Sequence, residues 1–170
     1  MKKNKPVALF IGRFQPFHCG HLSALRWIAV RSSKVIVAIG SAQKSFEPEN
    51  PFTIKEREKM IRSEIGKAAF GKRCAVVPIT DVNDNDLWVS HLEGRLPAFE
   101  VVFSNNALVK RLMKRAGKKV SSIPFFRRDV YDATKIRGMM KRAKRWQDRV
   151  PIKVRTILKR MNAEERVKNL

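Results

Sequence analysis

The chain has 170 residues, 44% of them hydrophobic, and a formal net charge of +22. That length and apolar content describe one globular domain, residues 1–170, with a core of its own, and exclude a disordered basic tail. No apolar run reaches the roughly 20 residues of a membrane helix, and the run after the basic head MKKNKP breaks at Gly12 and Arg13, short of a secretory signal.

VALFIG (7–12) reads as a buried strand. GHLSALRWIAVRSS (20–33) has helical periodicity, with Leu22, Leu25, Ile28 and Ala29 on one face. KVIVAIG (34–40) is the second strand, followed by the loop SAQKSFEPENP. Thr53 and Glu56 form a T-x-x-E capping box that predicts a helix running to about Phe70. CAVVPIT (74–80) is a third strand, DVNDND a polar loop and LWVSHLEGRL (87–96) a short helix. EVVFS (100–104) is a fourth strand, and NNALVKRLMKRAG a helix stopped by Gly117. KVSSIPF (119–125) is the fifth strand. From 133 to 170 two basic helices are expected, separated near Pro151.

Short apolar strands alternating with helices predict an α/β, Rossmann-like parallel sheet of about five strands, flanked by helices and ending in basic ones. Ligands of such sheets bind beyond the carboxyl ends of the strands. The places to search are therefore 12–21, 41–52, 81–88, 104–107 and 126–134. Polar and small residues gather in those loops.

Charge and cysteines narrow the setting. Residues 1–109 carry 16 Lys/Arg against 10 Asp/Glu, and residues 110–170 carry 21 against 5. Such a field attracts polyanions: nucleic acid, anionic lipid or polyphosphate substrates. Cys19 and Cys74 form no CxxC pair, as expected of a reduced, cytoplasmic protein.

GRFQPFHCGH (12–21) holds two of the three histidines. It leads from a strand into a helix N-terminus, where unpaired N–H groups and the dipole favour phosphate. His18 and His21, three apart, project to one side. With Arg13 they would stabilise charge on a pentacoordinate phosphorus, as phosphoryl or nucleotidyl transfer requires. Gly20 would let a ligand approach the backbone. The competing readings are ordinary loop and cap residues, or zinc ligands. Zinc would need His91 or Cys74 from unrelated elements. The G-x-G-x-x-G dinucleotide spacing is absent.

GRFQPFHCGH resembles the HxGH signature of a nucleotidyltransferase superfamily. With GSAQKS (40–45), NPFTIKERE (50–58), DVNDNDLW (81–88), FSNNALV (103–109) and DATKIR (132–137), the chain is similar over nearly its whole length to archaeal-type nicotinamide-nucleotide (NMN) adenylyltransferases. The resemblance implies ATP and NMN as substrates, NAD and pyrophosphate as products, and direct in-line attack. It implies catalytic roles for His18, His21, Arg13 and Arg137, and ATP or phosphate contacts from Gly12, Phe14, Gln15, Gly20, Thr134 and Asn106. Ser41, Ala42, Gln43, Asp81, Asn85 and Trp88 would bind the nicotinamide nucleotide, with Trp88 stacking on the cationic ring. Mg²⁺, or another divalent cation, would be held mainly by ATP phosphates, without protein side chains as ligands. His91 lies off the motifs and reads as structural.

Four positions depart from the family pattern. Asp132 stands where serine is usual and reads as a helix cap. Phe46 and Glu49 replace a histidine and an arginine. Asn105 replaces a glycine, with a left-handed backbone expected to save the turn. The resemblance also implies a homo-oligomer, a hexamer, whose assembly at +22 per chain would depend on salt. Two other functions stand beside the main one: the same chemistry on phosphopantetheine or FMN, and nucleic-acid binding through KRAKR (141–145) and the adjacent Trp146.

Overall fold

The computed structural model describes residues 4–170; the first three residues of the basic head lie outside the described residues. Five strands form one parallel sheet: β1 (Val7–Gly12), β2 (Lys34–Ile39), β3 (Cys74–Pro78), β4 (Val101–Phe103) and β5 (Lys119–Ser121), in the order β3-β2-β1-β4-β5. Both faces of the sheet are apolar because alternate residues feed opposite layers. Ala8, Phe10, Val35, Val37 and Ile39 face one core; Leu9, Ile36, Ala38 and Val102 face the other.

Helices cover the two faces unequally. The first core takes α1 (Cys19–Arg31), α2 (Ile54–Ile65), α5 (Ala133–Lys141), α6 (Ile152–Arg160) and α7 (Ala163–Lys168). The second takes α3 (Trp88–Arg95) and α4 (Ala107–Arg115). The chain winds from β1 through β2 to the edge at β3, then crosses to β4 on the other side of β1. The loops after β1 and β4 therefore diverge, which opens a crevice at the carboxyl end of the central strand.

Three boundaries differ from expectation. The second helix stops at Ile65 and not near Phe70: Gly66 caps it, and the chain folds back so tightly that a Cβ on Gly71 would lie 2.0 Å from the Ile65 carbonyl oxygen. The fifth strand ends at Ser121, because the Asn105 side chain engages the backbone of Ile123 and Pro124 has no N–H to offer. The basic C-terminal part holds three helices, not two. Asn162, in the left-handed region at φ 51°, breaks the last from its predecessor.

The C-terminal helices are tied back to the sheet. Arg166 binds Glu56 with both guanidinium nitrogens, at 2.7 and 3.0 Å, while Glu56 still caps Thr53 N–H at 2.8 Å. Trp146 is 2% exposed and its indole N–H donates to Glu164 at 3.1 Å. It is a core residue, so it does not offer the exposed stacking face that the nucleic-acid reading wanted; residues 141–145 beside it are exposed.

Candidate active site

A cleft of about 440 Å³ opens beyond the ends of β1 and β4 and is closed on one side by the start of α5. Arg13, His18, His21, Asn106, Thr134 and Arg137 all line it. A separate cavity of about 360 Å³ lies among the C-terminal helices beside Trp146 and Glu164, far from the strand ends in the fold.

The two histidines cap each other. His18 is the N-cap of α1, and its Nδ1 accepts the His21 backbone N–H at 3.2 Å. His21 Nδ1 accepts the His18 N–H at 3.3 Å. The rings stack with centroids 3.5 Å apart, and Phe14 meets His21 edge-on at 4.9 Å. An Nδ1 that accepts a hydrogen bond carries no proton, so each neutral ring holds its proton on Nε2. Burial lowers the pKa of His18 from 6.5 to about 4, with the Asp132 carboxylate opposing. Burial and then the neighbouring His18 hold His21 well below its ordinary range. The pair thus presents two neutral Nε2–H donors, not two cations. Caps and ligands, set against each other as alternatives in the sequence, are compatible: Nδ1 does one job and leaves Nε2 for the other.

Gly20 lines the cleft and has a packing role as well. A Cβ there would sit 2.9 Å from the Cβ of Tyr131 and 3.1 Å from His18 Nδ1, so the missing side chain lets the 126–134 loop close on the helix start. Phe14, 2% exposed and at φ 53°, is mainly a packing wedge beneath His21. Gly12 ends β1 and accepts Gly40 N–H at 3.0 Å; a Cβ there would press on the Phe14 ring at 3.0 Å. Gln15 is 2% exposed with both ends of its amide bound to the Phe52 backbone, at 2.9 and 3.0 Å. Its side chain ties two loops together and is not free for phosphate.

Across the cleft, Asp132 caps α5 by accepting Lys135 N–H at 2.9 Å. Arg137, 8% exposed, donates to the Gln15 carbonyl at 2.9 Å and to Thr134 Oγ1 at 3.4 Å. Burial lowers the Arg137 pKa, as does the nearby Arg13. Arg13 itself pairs with Glu49 at 3.2 Å. Asn106 caps α4 through Val109 N–H at 3.0 Å. Asn105 does not take the left-handed backbone foreseen for it; its amide clamps Ile123 from both sides, at 2.7 and 3.0 Å.

The residues expected to bind the nicotinamide nucleotide lie at the ends of β2 and β3, on the other side of β1. Asp81 Oδ1 accepts Ser41 N–H at 3.1 Å, Asp81 N–H donates to Gln43 Oε1 at 3.1 Å, and Ala42 N–H donates to the Ile79 carbonyl at 2.9 Å. These groups first brace one another. Asn85 is exposed, and Trp88 is half-buried at the start of α3, against the second core. His91 Nε2–H donates to the Thr80 carbonyl, 3.0 Å away, a structural contact.

Arg57 escaped the sequence reading. It is fully buried and donates to the carbonyls of Arg13 at 3.1 Å, Gly40 at 2.8 Å and Ser41 at 2.9 Å. Burial lowers its pKa to about 10, with Asp81 opposing, so it stays charged at neutral pH. The available signal was position: Arg57 falls on the same helical stripe as Met60, Ile61 and Ile65, where a charge is out of place.

Known proteins show the family and the fold of the chain. The cytidylyltransferase-like family model matches residues 9–139. The nicotinamide-nucleotide adenylyltransferase of Pyrococcus abyssi is 44% identical over 162 residues, covering 95% of this chain and 87% of that protein. That of Methanolobus tindarius is 41% identical over 163 residues, covering 96% and 93%. Among solved structures, a bifunctional NMN adenylyltransferase/ADP ribose pyrophosphatase from Francisella tularensis, complexed with AMP and Mn, shares the fold with a TM-score of 0.81 at 21% identity; the match covers 96% of this chain and 51% of that one. The chain thus spans about half the length of that bifunctional protein.

The histidine cap makes stability depend on pH. Above 6.5 the folded and unfolded chains both keep His18 neutral. Between 6.5 and about 4 the unfolded chain takes up a proton that the folded chain refuses, so stability falls with pH, by about 3 kcal/mol in full from this group. His18→Asn keeps an N-cap acceptor but does not titrate. Its melting temperature should fall less between pH 7 and pH 5 than that of the wild type; equal falls would refute the assignment.

Proposed function

Because the chain belongs to the cytidylyltransferase-like family, and within it to the nicotinamide-nucleotide adenylyltransferases, we propose that its cleft transfers AMP from ATP to NMN, forming NAD and pyrophosphate. An oxygen of the NMN phosphate attacks the α-phosphorus of ATP. The bond from that phosphorus to the bridging oxygen breaks, and pyrophosphate leaves with the electron pair. No group on the protein need become bonded to the nucleotide.

The observation that carries this reading is the mutual histidine cap at a helix N-terminus. It holds two Nε2–H donors and the start of α1 toward one cleft. Donors fixed before the reaction stabilise charge that grows on the non-bridging oxygens without reorganisation at the moment of reaction. Arg13 and Arg137 take the β- and γ-phosphates, and Thr134 adds a hydroxyl at the start of α5. Asn106, after β4, faces the adenosine. On the other side of β1, Ser41–Gln43, Asp81 and Asn85 receive the ribose and carboxamide of NMN, and Trp88 offers an indole face to the nicotinamide.

The donors at the cleft suit a cation that arrives with its substrate. Asp132 is one carboxylate that lines the cleft. Mg²⁺ is commonly held by one or two carboxylates, waters and substrate phosphates. When bound, the ion neutralises the triphosphate and the departing pyrophosphate. No described helix is long and apolar enough to cross a membrane, and a nucleotide substrate supports a cytoplasmic setting for the reaction.

With Mg²⁺, ATP and NMN the wild type should form NAD, and His21→Ala should lower kcat by roughly 10²- to 10³-fold, the usual loss for one such donor. A folded wild type that makes no NAD would overturn the reading in favour of another acceptor. We also propose a homo-oligomer, with the family's hexamer as its limit. At +22 per chain its assembly should strengthen with salt or phosphate; identical sedimentation at low and high ionic strength would contradict this.

A further inference from the structure

The loop between β2 and α2 carries a carboxylate to the mouth of the phosphate cleft. Glu47 and Asn50 exchange backbone hydrogen bonds, at 3.3 and 3.0 Å, and so close a four-residue turn with Pro48 and Glu49 at its tip. Proline suits the second position of such a turn because its φ is already set. The base is anchored: Asn50 is 3% exposed and donates through Nδ2 to Glu47 Oε2 at 3.2 Å, and Phe52, fully buried, is gripped by Gln15. Glu49 is thus presented by a braced turn, and it accepts a hydrogen bond from Arg13 Nη1 at 3.2 Å.

Arg13 is more accessible than Arg137. Its side chain is 48% exposed, whereas Arg137 is buried and already bonded to the Gln15 carbonyl. The other carboxylate at the cleft, Asp132, is engaged as a helix cap. Glu49 has one partner among the described residues, and that partner is Arg13. Its side chain is 73% exposed, so little holds it in place beyond the pair itself. An anion that reaches Arg13 meets a carboxylate already on one of its N–H donors, and the two negative charges repel each other across the same guanidinium.

We propose that Glu49 is an internal competitor for phosphate. It occupies Arg13 while the cleft holds no nucleotide and yields when a triphosphate arrives, and so it sets the affinity of the site for polyphosphates. This rests on the reading of the cleft as the site of adenylyl transfer. The need is physical. A cleft lined by Arg13, Arg137, Arg128 and two Nε2–H donors, on a chain of charge +22, attracts free phosphate and holds pyrophosphate after the reaction. Glu49 weakens every ligand that relies on Arg13 by the same factor. ATP has its adenosine contacts to absorb that loss; pyrophosphate does not, and leaves sooner.

The test is the binding of tripolyphosphate, followed by calorimetry at low salt, to wild type and Glu49→Gln. The variant keeps the size and polarity of the side chain and removes its charge. An exposed ion pair is worth about two- to fivefold in an equilibrium constant, so Glu49→Gln should bind tripolyphosphate tighter by about that factor, with stronger product inhibition by pyrophosphate and unchanged affinity for adenosine. In an Arg13→Gln background the gain should shrink to the smaller part that comes from the Glu49 charge acting on Arg137. Equal or weaker binding by Glu49→Gln would overturn the proposal. So would an equal gain without Arg13, since a general change of charge would then explain it. NAD formation by the same wild-type preparation separates the two readings. NAD formed with equal tripolyphosphate affinities sinks the competitor and leaves the transfer reaction standing. Tighter binding by the variant with no NAD formed does the reverse.

Discussion

One buried guanidinium organises the site. Arg57 reaches from the first turn of α2 to the main chain that follows β1 and β2, and bonds the carbonyls of Arg13, Gly40 and Ser41 together. Those carbonyls lie where two parallel strands have just ended, so the sheet ladder no longer satisfies them. A buried carbonyl without a donor costs on the order of 1–3 kcal/mol. Meeting several with one cation offsets part of the cost of burying the charge, although no carboxylate touches it. The same bonds fix Arg13 and Ser41, which lead into the two halves of the site. Gln15 adds a second tie from the same loop to Phe52.

The histidine turn uses a similar economy. A helix N-terminus ordinarily presents four N–H groups without partners. Here two imidazoles satisfy the N–H groups of His18 and His21, and in doing so settle which nitrogen of each ring carries the proton. Structure and chemistry share the same atoms. Neutral donors also bring no positive charge into a cleft already bordered by arginines, so the free site is less self-repulsive than two imidazolium rings would make it.

What was legible in the sequence follows from the range of the interactions. Strands and helices were readable because their apolar periods are local, and the Thr53–Glu56 box and the Gly117 stop are set within a few residues. HxGH was readable because its chemistry is contained in one turn. Arg57, the Gln15 clamp and the Glu49–Arg13 pair were not, because each joins residues 16 to 44 positions apart. Gly20 was singled out correctly as a close approach, but the approaching group is Tyr131, more than a hundred residues away. The departures at Phe46 and Asn105 also acquire reasons only in three dimensions. Phe46 lies 5.0 Å beneath the Arg166 guanidinium, and Asn105 ties the end of β4 to Ile123.

Arg57, a residue with no exposed surface, holds the loops after β1 and β2 in shape. The direct measurement is urea unfolding together with ATP affinity for wild type, Arg57→Lys and Arg57→Met. Arg57→Met should lose at least about 2 kcal/mol of stability, from the Arg13 and Gly40 carbonyls left without donors, while Ser41 keeps the Lys44 N–H; Arg57→Lys should lose less, and ATP binding should weaken in the same order. Wild-type stability and ATP affinity in Arg57→Met would contradict this role, and would mean that the loops after β1 and β2 hold their shape without the buried cation.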